Sequence, residues 1–223
     1  MKDLSEWTDE EIYAGAMNEI KYRVDVIERI KSGEISGLYR VNFAEFIALQ
    51  FRKILELIAF SSISAHRYEY EAWRKNFRKF YKAKDIIEEI EKINPNFYPI
   101  PIKQIIHEEI KVMEIVESTE PYLTKEDFKV LYDECSNLLH QDNPYGQMTD
   151  IEPFIGKVDE WLDKIIKLLN HHRIELTDSG KVLHVYMNDS KTGNVHLYKM
   201  TEAGTERQKI VVDKLDSYKQ SKS

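Results

Sequence analysis

Residues 42–65, NFAEFIALQFRKILELIAFSSISA, constrain this chain more than any other stretch. Placed on a helical wheel, Phe43, Phe46, Ile47, Phe51, Ile54, Leu55, Leu57, Ile58 and Phe60 point in nearly every direction. Glu45, Arg52 and Glu56 make a narrow charged stripe, with Gln50 and Lys53 elsewhere. A helix apolar on almost all sides belongs inside a bundle, where neighbours cover each face. Asn42 with Glu45 three residues on reads as a capping box that starts it. The rest of the chain must therefore supply helices to surround it.

Those helices are legible. Thr8-x-x-Glu11 caps a first helix whose stripe is Ile12, Ala16, Ile20, Ile27 and Ile30, ended by Ser32-Gly33. A third spans about 70–93, with Trp73, Phe77, Phe80 and Ile87 on its core side, and stops at Asn94-Pro95. A fourth begins after Thr124, capped through Asp127, and buries Phe128, Leu131, Tyr132, Cys135, Leu138 and Leu139. A fifth carries Pro153 in its first turn and buries Phe154, Val158, Trp161, Leu162, Ile165, Leu168 and Leu169. It is expected to end in a solvated His171-His172-Arg173, where cations suit the negative helix terminus.

Elsewhere the period changes. Residues 103–118 favour a small hairpin through their β-branched content, with a helix left open. After Ser179-Gly180, KVLHVYMND and NVHLYKM alternate at period two about a turn at Ser190–Gly193, which reads as a β-hairpin. The expected fold is mainly α: a bundle of about five helices over 1–176, a β-hairpin appendage over 177–205 and a polar tail over 206–223. With 42% hydrophobic residues the chain can build a core, and no apolar run approaches a membrane span. The acidic start MKDLSEWTDEE lacks the apolar segment of a signal peptide, and Cys135 stands alone. A reducing cytoplasm is the expected setting, with no membrane, no metal and no cofactor.

Two polar features remain. Asp133, Ser136, Asn137 and His140 fall at i, i+3, i+4 and i+7 on the fourth helix, beside its apolar face and ahead of the loop Asp142-Asn143-Pro144-Tyr145. Separately, residues 66–84 are basic, and Arg74, Arg78 and Lys82 recur at i, i+4 and i+8, flanked by Lys75 and Lys79. The stripe suits phosphates, although the net charge of −7 confines any such binding to a local patch. Cys135, placed between Tyr132 and Leu139, is expected to behave as a small hydrophobe.

A His closing a polar stripe late in a helical bundle, with Ser136 or Asn137 before it, resembles the HEPN superfamily. Its active members are small helical domains that cleave RNA without a metal. Across residues 8–172 the resemblance implies a domain that binds RNA or a nucleotide, as a homodimer, in a bacterial toxin–antitoxin or defence setting. The positions where that family carries an arginine hold Asp133, Glu134 and Cys135. The cation must then come from another helix, and Arg52 is the candidate. As a metal-independent ribonuclease, the chain would use His140 for proton transfer, Asn137 for orientation and Arg52 on the phosphate. Two other readings stand beside this one. They are a non-catalytic interaction or dimerisation module, and a helical protein holding a small ligand between its second and fourth helices.

Overall fold

The computed structural model describes residues 7–35, 39–65, 83–107, 109, 112–142, 145, 148–176, 181–189, 192–201 and 208–211. Helix α1 spans Asp9–Lys31, α2 Arg40–Ala65 and α3 Ala83–Ile93. Strands β1 (Ile100–His107) and β2 (Val112–Glu117) precede α4 (Lys125–Leu139) and α5 (Glu152–Leu169). Four strands close the order: β3 (His171–Leu176), β4 (Lys181–Tyr186), β5 (His196–Thr201) and β6 (Gln208–Val211). All six strands join one antiparallel sheet in the order β2-β1-β3-β4-β5-β6.

Local chemistry explains the helices. Two of the three expected capping boxes form: the Glu11 amide donates to Thr8 Oγ1 at 3.1 Å, and the Asp127 amide donates to Thr124 Oγ1 at 3.1 Å. Gly33, at φ 81°, adopts the left-handed conformation just past the α1 C-cap Ser32. Helix α2 packs against α1, α3 and α4, and its Phe51, Ile54 and Ile58 are fully enclosed. It begins two residues before Asn42, so Asn42 caps no terminus and instead donates to Glu45 Oε2 at 3.4 Å. Its all-round apolar wheel is not all covered: Phe46, Leu49 and Phe60, on one stripe, stay exposed.

The sheet corrects the expectation of a mainly α bundle with a hairpin appendage: the architecture is mixed α/β. Residues 103–118 lie in the β1–β2 hairpin, in register from Ile102 opposite Glu117 to His107 opposite Val112. Helix α5 stops at Leu169, and 171–176 is not a solvated helix end but strand β3. β1 joins it through Ile100 opposite Arg173 and Pro101 opposite His172. The predicted hairpin, β4–β5, is thus an inner part of a six-stranded sheet rather than an appendage. Gln208–Val211, in the stretch read as a polar tail, adds a further strand to β5.

Alternation along β3 to β5 explains why these strands hold. Ile174, Leu183, Val185 and Leu197 are buried on the face toward the helices. His172 shares that face and is fully enclosed, its Nε2 2.6 Å from the Tyr13 hydroxyl of α1. Its Nδ1 lies 2.8 Å from the Leu169 carbonyl, which can only accept. Nδ1 therefore carries the proton, and Nε2 accepts from Tyr13. The buried arc of α1 accordingly runs through Tyr13 and Met17, while the expected Ile12 and Ala16 are half-buried. Lys21 of α1 also donates to the carbonyls of Met187 (3.0 Å) and Gly193 (2.5 Å), tying the β4–β5 turn to the helices. Among the described residues no helix is long and apolar enough to cross a membrane.

Candidate functional site

Helix α4 presents its polar stripe as its spacing requires. Phe128, Leu131, Tyr132, Cys135 and Leu138 are buried, while Asp133, Asn137 and His140 are exposed. Ser136 turns back and donates to the Tyr132 carbonyl at 2.7 Å, a common use of a mid-helix hydroxyl. His140 is the C-cap, with extended backbone (φ −87°, ψ 142°) and its amide donating to Asn137 O at 3.3 Å. The chain leaves the helix there, so His140 stands at the mouth of the following loop.

The loop is pinned from both ends. Asp142 accepts from the Thr149 amide (2.9 Å) and the Thr149 hydroxyl (2.6 Å), and these bonds hold its carboxyl below the usual range. Between them Tyr145 is 96% exposed. Helix α5 then returns antiparallel to α4: Asp127 meets Lys164, and Glu134 meets Lys157 and Trp161. From the Glu134–Lys157 level, His140 lies roughly 9 Å further along α4 and Glu152 roughly 7 Å back along α5, at 1.5 Å per residue. Both arrive at the same end of the bundle.

Glu152 brings a cation there. Arg40, at the start of α2, grips it with Nε at 2.7 Å and Nη2 at 2.6 Å. Sequence reasoning missed Arg40, because only the fold brings the start of α2 to the start of α5, 112 residues away in sequence. Arg52 does reach α4, but at Tyr132: Nη2 is 3.4 Å from its hydroxyl and the guanidinium lies 5.2 Å from the ring centroid. Glu56 accepts from Arg52 Nε at 3.3 Å. Among the described residues no hydrogen bond or ion pair joins Arg52 to Asn137 or His140. Eight residues of helix separate Tyr132 from His140, about 12 Å.

The other candidates sort simply. Arg74, Lys75, Arg78, Lys79 and Lys82 lie outside the described residues. Cys135 is buried, and burial pushes its thiol well above the usual range, with Glu134 adding to the effect and Arg52 opposing it. That is an inert thiol. His184 and His196 share the outer face of the sheet, paired in register with Tyr198 and Tyr186. Among the described residues no group of three or more His, Cys, Asp or Glu side chains could hold a metal ion.

One concavity of the structure lies away from α2 and α4. It is a cleft of about 430 Å³ on the sheet face away from the helices, where the β1–β2 hairpin curls toward β3, β4 and β5. Ile102, Ile115, Val182 and Met200 give it apolar walls, and Glu117, Arg173 and His184 are its polar lining. Beside it His171 stacks on Tyr186 at 4.0 Å, and Tyr186 meets Tyr198 edge-on at 5.5 Å. No known protein family, curated protein or solved structure was found to match this chain.

Proposed function

We propose that the α4 end of the bundle binds single-stranded RNA or a nucleotide and does not cleave it. One observation carries the reading: His140 and Asn137 are exposed near the Asp142–Thr149 hydrogen bonds, and Tyr145, between those two residues, is almost wholly in solvent. An exposed aromatic offers a stacking surface to an unpaired base, while amide and imidazole groups can reach base edges or the ribose hydroxyl. Arg40 supplies the cation for a phosphate. Its ion pair with Glu152 is exposed on both sides and so is worth little, which lets a phosphate compete for it. The cleavage reading loses the cation it assigned, since Arg52 is engaged with Tyr132 and Glu56. The likeness to HEPN proteins rests on the α4 stripe and His140 alone.

Anisotropy titrations with a short fluorescent single-stranded RNA at low salt test this. Tyr145→Ala and His140→Ala should each weaken binding, the former by about 5- to 150-fold if one base stacks. The labelled RNA should remain intact after long incubation. Absence of saturable binding, or a Tyr145→Ala variant that binds as well as the parent, would remove the proposal.

A second reading is favoured by the exposed stripe of Phe46, Leu49 and Phe60 on α2. Three large apolar groups on one helix face suit a homodimer seam. Light scattering that finds only monomer at high micromolar concentration, unchanged by Phe46→Asp, would end that reading.

A further inference from the structure

We propose that the β1–β2 hairpin is a hinged flap, which swings off the outer face of the sheet and widens the cleft while β3, β4 and β5 stay paired. Its join to the rest of the sheet is short. β1 and β2 stay in register from Ile102 opposite Glu117 to His107 opposite Val112, and β4 pairs along its whole length with β3 and β5. β1 meets β3 only through Ile100 opposite Arg173 and Pro101 opposite His172. Pro101 also has no amide hydrogen: its carbonyl accepts from the Ser118 amide at 2.8 Å, and it can return nothing. Below that point both feet of the hairpin are fixed. Tyr98 and Leu123 are buried, and the Tyr98 hydroxyl donates to the Leu123 carbonyl at 3.0 Å. The hinge therefore falls at Ile100, Pro101 and Ser118.

Beyond the hinge the hairpin is braced within itself and lightly held by its surroundings. His107 Nε2 lies 3.0 Å from Glu114 Oε2, across the two strands. Lys103 to His107 are all exposed, and Ile106 is 67% so. Among the described side chains from Ile102 to Glu117, Ile102 alone is buried, with Ile115 and Val116 half-buried. Two side-chain contacts latch the hairpin to the sheet: Glu117 accepts from Arg173 Nη2 at 2.7 Å, and Gln104 donates to the Tyr186 hydroxyl. The Glu117 side chain is 63% exposed, so its ion pair with Arg173 holds only weakly. Opening breaks a short ladder and solvent-reachable contacts, and it uncovers little apolar surface. Segments held in that way open at a free energy below that of global unfolding. The motion also sets the width of the cleft, because Ile102, Ile115 and Val116 belong to the flap and Val182, His184 and Met200 to the sheet.

Thiol labelling of the folded protein tests this. Ile102→Cys puts a probe beneath the flap, and Cys135, fully enclosed in the helical core, is the reference within the same molecule. With a maleimide in native buffer, Ile102→Cys should label roughly tenfold or more faster than Cys135, and its rate should climb far less steeply with urea. It should still label much more slowly than the exposed Ile106→Cys. Glu117→Ala should speed labelling of Ile102→Cys by about 1.5- to 5-fold and leave Cys135 unchanged. If Ile102→Cys does not keep the circular dichroism spectrum of the parent, His184→Cys, buried on a facing strand, reports the same opening. Equal rates and urea slopes at the probe and at Cys135 overturn the proposal, since the hairpin would then leave only on global unfolding. Labelling as fast as that of Ile106→Cys overturns it too, since the flap would never close. So does a Glu117→Ala effect that is absent, or equal at both thiols.

Discussion

Ile54→Ala is expected to destabilise the fold by about 2–5 kcal/mol, the range for truncating a large aliphatic in a packed core. Ile54 is fully enclosed on the helix that α1, α3 and α4 surround, so no solvent-side relaxation can fill the hole. Losses of that size approach the whole stability of many domains, and the variant should melt much earlier or fail to accumulate. Urea titration followed by tryptophan fluorescence measures it. The exposed Val41 at the start of the same helix provides the contrast: Val41→Ala should lie within about 0.5 kcal/mol of the parent. Equal effects at the two positions would mean that α2 is not the centre of the core.

Acid should unfold the protein through His172. Burial is the main cause that pushes this imidazole down to about 4, opposed by its bond to Leu169 O and assisted by His171 and His184. In the unfolded chain it titrates near 6.5. As pH falls from 6.5 toward 4, the unfolded state therefore takes up a proton that the native state refuses, and stability is lost across that window. The loss from this one group is about 2 kcal/mol by pH 5 and about 3 kcal/mol once both states are protonated. His171 and His184, each also lowered to about 4, act in the same direction. Denaturant titrations at pH 7 and pH 5 should show the drop, and His172→Gln should flatten part of it while lowering stability at pH 7. Tyr13→Phe should cost about 1–3 kcal/mol, since it strands Nε2 in the core. A midpoint that does not move between pH 7 and pH 5 would contradict a buried neutral His172.

What could be read from the chain was what local spacing controls. The Thr8 and Thr124 boxes, the buried faces of α4 and α5 and the period-two stretch at 181–201 all depend on residues a few positions apart. The sheet as a whole does not. β3 follows α5 after only Asn170, and its His-His-Arg start suits a helix terminus as well as a strand. What decides is the partner: β4 on one side and β1, far away in sequence, on the other. The site shows the same division. His140 and Asn137 were visible as a stripe. Arg40 was not, because its place beside the α4 end depends on how α2 meets α5, and the charged stripe of α2 drew attention to Arg52 instead. The cleft was invisible for the same reason, being built from β1, β2, β3, β4 and β5 together.

The bond between Tyr13 and His172 spans 159 residues. During synthesis the first helix emerges long before the strand that satisfies its tyrosine, and β1 likewise waits for β3. The sheet cannot close until residues 171–201 have left the ribosome, although α1 can already pack on α2. Nascent chains halted before residue 171 should therefore lack the His172 partner of Tyr13 and leave one edge of β1 open. The pairing of β1 with β3 and of Tyr13 with His172 is thus the most non-local part of the fold, the kind of contact that slows folding.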